Sequence, residues 1–220
     1  MNPALLFDLD GTMLNSDPIH MGVFQELWTS RGLAFDEAFY MKHVHGRLNV
    51  DIFAEFLPDE PNPQALSDWK EAQFRDRLPR PYPPMPGVAA LVARAVEEDW
   101  PRAIVTNAMR LNAEAMLEAV GLRDAFDVIV IGEECPRGKP DPYPYQEAMR
   151  QLGVTPNHAI AFEDSPSGAR AARSSGAYTV GIRSGLDDHT LRQAGAHITM
   201  QDFTDPALTQ VLERYKGAAA

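Results

Sequence analysis

The sequence predicts an α/β protein: a parallel β-sheet with helices on both faces, interrupted after its first strand by a helical insert. Three observations predict it. First, four short apolar runs stand out, Ala4 to Phe7, Ala103 to Val105, Val128 to Ile131 and Ala159 to Phe162. Each is strand-like in length and lacks the polar alternation of a half-exposed strand. Second, helical patterns separate the later runs, with proline at their starts and glycine just past their ends. Third, the interval from Asn15 to Arg80 carries helical spacing and no convincing strand. Strand alternating with helix implies a parallel sheet.

Taken in order, Ala4 to Phe7 opens the sheet. In the insert, Ile19, Val23, Phe24, Leu27 and Trp28 recur at helical spacing, followed by Ile52, Phe53, Phe56 and Leu57. That spacing makes Trp28, Phe53 and Phe56 the interior of the insert. It closes in Pro79, Pro81, Pro83, Pro84 and Pro86, a stiff connector. The expected division is residues 1–14 with 81–220 as one α/β unit and residues 15–80 as the insert. Pro86-Gly87 then introduces Val88, Leu91, Val92, Ala95 and Val96. Leu111 to Val120 stops at Gly121, Pro142 to Leu152 at Gly153, and Pro166 to Ser175 at Gly176. Val180 to Ile182 reads as a fifth strand, and the Gly-Ala-Ala-Ala end as a frayed tail.

The chain has 220 residues, 20 Lys plus Arg against 31 Asp plus Glu, and a net charge of −11. No cationic excess exists to displace counterions from a polyanion, so a nucleic-acid partner is not expected. No stretch approaches the roughly 18 apolar residues of a membrane span. Met1 to Leu6 runs into Asp8 and Asp10 too soon for a signal peptide. The single cysteine, Cys135, forms no internal disulfide, which suits a reducing cytoplasm.

The chemistry lies at the ends of the predicted strands. Asp8-Leu9-Asp10-Gly11-Thr12 follows the first. Two carboxylates two residues apart project to one side of an extended chain, and Gly11 permits a sharp exit. Such a pair can hold Mg²⁺ while one carboxylate attacks an electrophile. A calcium loop starting at Asp8 fails on spacing, because Met13 stands where it needs glycine and Ile19 where it needs glutamate. Thr106-Asn107 ends the second run at the mouth of a helix, where backbone N–H groups suit a phosphate. Gly138-Lys139-Pro140-Asp141-Pro142 puts a cation on a constrained loop, and Glu163-Asp164 precedes Ser165-Pro166. Singly, these are a solvated turn, a helix cap, a surface lysine and an acidic cap. In a parallel sheet all four emerge at the carboxyl edge, where open α/β sheets bind ligands.

These four segments closely resemble the four motifs of the haloacid dehalogenase superfamily, in order and over nearly the whole chain. The nearest branch is the one containing β-phosphoglucomutase and phosphoglycolate phosphatase. The resemblance implies a Rossmann-like, three-layer α/β/α core with an inserted α-helical cap. It implies Asp8 as nucleophile, forming an aspartyl phosphate, and Asp10 as general acid and base. Mg²⁺ would be held by Asp8, the Asp10 main-chain carbonyl and Asp164, with Glu163 binding directly or through water. Thr106, the Asn107 main chain and Lys139 would hold phosphoryl oxygens. Haloacid dehalogenases themselves usually lack an acid at the position of Asp10, so the pair speaks for phosphoryl transfer.

In the cap, His43, His45, Gly46 and Arg47 form a polar cluster. Gly46-Arg47 resembles a cap-loop motif whose arginine meets a distal anionic group of the substrate; an arginine on a solvated helix end is the other reading. His20 resembles a histidine near the acid pair of β-phosphoglucomutase, and equally a packed or surface residue. The functional expectation is a Mg²⁺-dependent phosphatase for a small phosphorylated metabolite, cytoplasmic and monomeric. The alternatives are a phosphomutase of the β-phosphoglucomutase type and a phosphometabolite-binding protein that has lost catalysis. Thr12 leans towards the phosphatases, since the mutase commonly has valine there.

Overall fold

In the computed structural model, residues 2–45 and 47–216 are described. Gly46 of the Gly-Arg pair and the Gly-Ala-Ala-Ala end lie outside them. The first strand is β1 (Ala4–Phe7), and helices α1 (Asp17–Ser30), α2 (Glu37–His43), α3 (Asn49–Phe56) and α4 (Pro63–Arg77) follow. Then come α5 (Val88–Glu97), β2 (Arg102–Thr106), α6 (Arg110–Ala119), β3 (Val128–Ile131) and α7 (Tyr143–Leu152). The chain ends with β4 (Ala159–Glu163), α8 (Pro166–Ser175), β5 (Tyr178–Ile182), α9 (Asp188–Ala194), β6 (Ile198–Met200) and α10 (Ala207–Lys216). It divides into two compact units: Met1–Asn15 with Arg80–Ala220, and Ser16–Pro79. Among the described residues, no helix is long and apolar enough to cross a membrane.

The first unit is an α/β fold built on a six-stranded sheet of order β3-β2-β1-β4-β5-β6, parallel throughout. β1 and β4 are buried along their whole length, as strands covered on both faces must be. Alternation sorts their side chains. Ala4, Leu6, Ala103, Val105, Ala159 and Ala161 pack with Tyr145, Ala148 and Met149 of α7 and with Ala171 and Ala172 of α8. The alternate residues face the other way: Phe7 stacks on Phe162 at 5.0 Å and meets Phe126 and Phe203. Burying a Leu or Phe side chain contributes about 1.5–3 kcal/mol, so this two-sided core fixes which strand end carries which residue.

The expected glycine stops lie where expected. Gly121, Gly153 and Gly176 all have positive φ at helix ends. Among the described residues four helix caps are made by side chains: Asp36 accepts from the Phe39 N–H, Asn62 from Ala65, Ser165 from Gly168 and Asp187 from Thr190. Each contributes about 1 kcal/mol. The sixth strand is a finding beyond the sequence reading.

The second unit is helical. Phe24, Leu27, Trp28, Tyr40, Val44, Ile52, Phe53 and Leu57 form its core, with Phe56 partly buried against them. Aromatic edge and tilted contacts run through Phe24, Trp28, Phe35 and Phe53. The helical spacing read Trp28, Phe53 and Phe56 correctly as packed in the interior of the insert.

Candidate active site

β1 lies between β2 and β4, where the strand order reverses, so residues just past its carboxyl end emerge beside the ends of both neighbours. The Asp8 N–H donates to the Phe162 carbonyl at 3.0 Å, extending the β1–β4 ladder to the first candidate residue. Glu163 is the last residue of β4 and Asp164 follows it. Thr106 ends β2. Asp8, Glu163 and Asp164 are all buried, and each offers a carboxylate oxygen within 4.8 Å of the others.

Lys139 joins this group from the loop before α7. Its Nζ donates to Asp8 Oδ1 at 2.6 Å and to Glu163 Oε1 at 2.5 Å. Asn107 positions that loop: its Nδ2 donates to the Lys139 carbonyl, and its Oδ1 accepts from the Lys139 N–H, both at 3.1 Å. Thr106 is buried, and its hydroxyl oxygen accepts from the Ala108 N–H at 3.0 Å, which leaves its own O–H to donate. Asp10 is half-buried at the turn after β1, in a bridge with Leu14, and its charge adds to the repulsion felt by Asp8. Its carboxylate is not one of the three clustered acids; the resemblance assigns the main-chain carbonyl to the metal.

The electrostatics follow from burial. Desolvation pushes the Asp8 pKa up, Lys139 pulls it down, and repulsion from Glu163 and Asp10 adds to the rise. For Lys139, burial works against the ammonium, but Asp8 and Glu163 outweigh it and hold its pKa above the ordinary value.

Several contacts were not read from sequence. Tyr145 of α7 donates to Glu163 Oε1 at 2.6 Å, and Ser165 to Oε2 at 3.3 Å. Thr12 and Ser184 donate to the two Asp164 oxygens at 3.4 and 3.3 Å. Glycines provide the space. Gly11 has φ +73°, and a Cβ there would lie 2.0 Å from Asp164 Oδ2. A Cβ on Gly132 would lie 2.1 Å from Asn107 Oδ1, and one on Gly168 1.9 Å from Glu163 Oε1.

The cap candidates lie in the helical unit. The His20 ring stacks on Phe74 at 3.9 Å, with its Nδ1 2.6 Å from Lys70 Nζ. Lys70 is buried and also donates to Glu71 Oε1 at 2.8 Å, which accepts from Asn49 at 2.6 Å. Lys70 carried no discriminating pattern in the sequence. Arg47 donates to Glu55 at 2.8 Å and to the His43 carbonyl at 3.0 Å. His45 lies 3.3 Å from Asp17, which also accepts from Tyr40 at 2.7 Å. His43 packs between Phe39 and Phe56.

A parallel sheet with its acids and lysine gathered at the switch point defines a doubly wound α/β protein with a candidate acidic site at the carboxyl edge, and comparison with known proteins names the family. Residues 5–182 match the haloacid dehalogenase-like hydrolases, and the chain belongs to that family. The validoxylamine A 7′-phosphate phosphatase of Streptomyces hygroscopicus subsp. limoneus is 29% identical over 211 residues, covering 93% of this chain and 96% of that one. The fructose-1-phosphate phosphatase YqaB of Escherichia coli strain K12 is 31% identical over 183 residues, covering 82% and 96%. A variant of CbbY from Rhodobacter sphaeroides, solved with xylulose-(1,5)bisphosphate, has a TM-score of 0.79 at 30% identity, covering 92% and 95%.

Proposed function

We propose that this chain is a Mg²⁺-dependent phosphatase of a small phosphorylated metabolite, such as a sugar phosphate, acting in the cytoplasm through an aspartyl phosphate on Asp8. The observation that carries the reading is the buried Asp8 carboxylate, bonded to Lys139 at 2.6 Å and clustered with Glu163 and Asp164. Two relatives named as phosphatases of phosphorylated compounds support it.

The donor set fits the metal. Three buried carboxylates face one ammonium, so the cluster carries excess negative charge, and its oxygen donors suit a hard divalent cation. Asp8, Asp164 and the Asp10 carbonyl would hold Mg²⁺, with Glu163 binding directly or through water. When bound, the ion supplies charge that offsets the repulsion between a carboxylate and a phosphate dianion.

The residues then divide the work. Asp8 attacks phosphorus as the bond to the ester oxygen breaks, and protonated Asp10 gives that oxygen its proton. Water next attacks phosphorus and passes its proton to Asp10, while the Asp8–phosphorus bond breaks and inorganic phosphate leaves. Thr106, the Asn107 main chain and Lys139 hold the phosphoryl oxygens as their charge develops. His20 and Arg47, in the helical unit, are the residues that the resemblance assigns to substrate binding. Arg47 exchanges Glu55 for a distal carboxylate or phosphate, which a guanidinium grips bidentately.

A phosphate-release screen over sugar phosphates, phosphoglycolate and nucleoside monophosphates, with and without Mg²⁺, tests the reading. Metal-dependent release from at least one ester is expected. Conversion of β-glucose 1-phosphate with a bisphosphate primer to glucose 6-phosphate, without net phosphate release, would overturn it in favour of a mutase. Silence towards every ester, unchanged by metal, would favour a binding protein that has lost catalysis.

A further inference from the structure

Ser184, in the loop after β5, belongs to none of the four motif segments, yet its side chain reaches the acid cluster. Its hydroxyl donates to Asp164 Oδ2 at 3.3 Å, while the Thr12 hydroxyl donates to Asp164 Oδ1 at 3.4 Å. β1 and β5 flank β4 in the sheet, so the buried Asp164 carboxylate is held from both neighbouring strands, one oxygen by each. Both bonds are long, and their consequence is direction rather than energy.

The two hydroxyls are carried on backbone that is itself fixed. Gly181 pairs with Glu163, which brings the end of β5 level with the acids. The Arg183 N–H then donates to the Met200 carbonyl at 2.9 Å, and the Arg183 carbonyl accepts from Gln201 Nε2 at 3.1 Å. The residue before Ser184 is thus anchored through its N–H and its carbonyl at the end of β6. On the other side, the Gly11 N–H donates to the Leu14 carbonyl at 2.8 Å and the Thr12 N–H to the Leu9 carbonyl at 3.3 Å, which closes the turn that carries Thr12. Backbone at Gly11 stands against Asp164 Oδ2, the oxygen that Ser184 holds, and leaves no room for a Cβ between them.

A carboxylate tied at both oxygens resists rotation about its Cβ–Cγ bond. That constraint bears differently on the two common hard cations. Mg²⁺ demands near-ideal octahedral geometry at about 2.0–2.1 Å, whereas Ca²⁺ accepts flexible geometry at about 2.3–2.6 Å and takes carboxylates through one oxygen or two. A fixed carboxylate suits the first ion and handicaps the second. Released at one oxygen, it can turn both towards a larger ion. Groups that orient a metal's ligands are worth about 10–100-fold in metal affinity.

We propose that Ser184 is a positioning residue of the metal centre: with Thr12 it fixes the Asp164 carboxylate, and thereby sets a preference for Mg²⁺ over Ca²⁺. The inference rests on the reading of Asp164 as a metal ligand. It brings into the site a residue from the loop after β5, a strand whose end supplies none of the motif segments.

The test is calorimetric titration of the full-length protein with magnesium chloride and, separately, calcium chloride, which reads affinity without turnover. Ser184→Ala is expected to weaken Mg²⁺ binding by about tenfold and Ca²⁺ binding by less, so that the ratio of the two affinities falls. Ser184→Thr keeps the hydroxyl and should hold the wild-type ratio. Ser184 is half-buried in a loop, so both variants are expected to fold. A general loosening of the site would lower the two affinities together and leave their ratio unchanged. Asp164→Asn should strongly weaken both signals, which locates them at this carboxylate. Wild-type affinities in Ser184→Ala, an unchanged ratio, or a ratio in Ser184→Thr as low as in Ser184→Ala would each overturn the proposal while leaving the metal reading intact. Wild-type protein that binds no Mg²⁺, or binding that survives Asp164→Asn undiminished, would overturn the metal reading and the proposal with it.

Discussion

Gly168, in the first turn of α8, lies directly against the carboxylate of Glu163: a Cβ at this position would be 1.9 Å from Oε1 and 2.0 Å from Oε2. Helical backbone thus packs onto a buried acid that Lys139, Tyr145 and Ser165 already hold. Gly168→Ala must displace one of them. Alanine's better helix propensity, worth about 0.5–1 kcal/mol, will not offset a steric cost of about 1–3 kcal/mol. Urea unfolding should show a net loss of stability, and phosphate release should fall with it. An unchanged midpoint would mean that moving Glu163 aside costs no more than alanine's helix propensity gains.

Tyr145→Phe removes one donor from Glu163 and leaves the ring packing intact. The buried carboxylate keeps Lys139 and Ser165, so the expected cost is about 1–3 kcal/mol for one unmade hydrogen bond rather than unfolding. If Glu163 supports the metal as proposed, Mg²⁺ activation should require more metal in this variant. Comparing the Mg²⁺ concentration for half-maximal phosphate release with wild type checks it.

Removal of metal gives a third expectation. Three clustered carboxylates repel one another unless a cation joins Lys139, so Mg²⁺ should stabilise the folded protein. At a hundredfold excess over its dissociation constant a ligand contributes about 2.7 kcal/mol. Thermal unfolding with Mg²⁺ against EDTA should show that gain in wild type and its loss in Asp164→Asn. A melting temperature indifferent to Mg²⁺ would remove the metal from the account.

In the helical unit, Glu71 yields a pH prediction. Burial raises its pKa, but Lys70, His20 and Asn49 outweigh burial and lower it to about 2 from an ordinary 4.5. A depressed acid contributes stability above its unfolded pKa and loses it as pH falls through the folded value. Stability should therefore decline between about pH 5 and pH 2, by up to about 3 kcal/mol from this group. Asp17, held down by His45 and Tyr40 against its burial, adds in the same direction. Glu71→Gln should make the decline shallower, as read from urea midpoints across that range.

The site was legible because each of its pieces follows an uninterrupted apolar run, and strand ends in a parallel sheet share one edge. Asp8, Thr106 and Glu163 are all placed this way. Contacts that join distant segments left no local signal. Tyr145 reaches Glu163 across 18 residues and Lys70 reaches His20 across 50. The strand β6 went unread because it is three residues long, with Ile198 and Thr199 both half-buried, too short for either strand pattern to register. The Arg47–Glu55 pair joins the segment before α3 to its last turn, a partnership that Gly46-Arg47 alone does not reveal.

The most direct test of the account is the rate of phosphate release by Asp8→Asn beside wild type, on whichever ester the screen finds, at saturating Mg²⁺. An amide cannot act as the nucleophile, so turnover should fall to the background of the uncatalysed reaction, while far-UV circular dichroism shows the fold retained. Turnover at the wild-type rate would contradict the assignment of Asp8 and the phosphoenzyme route built on it.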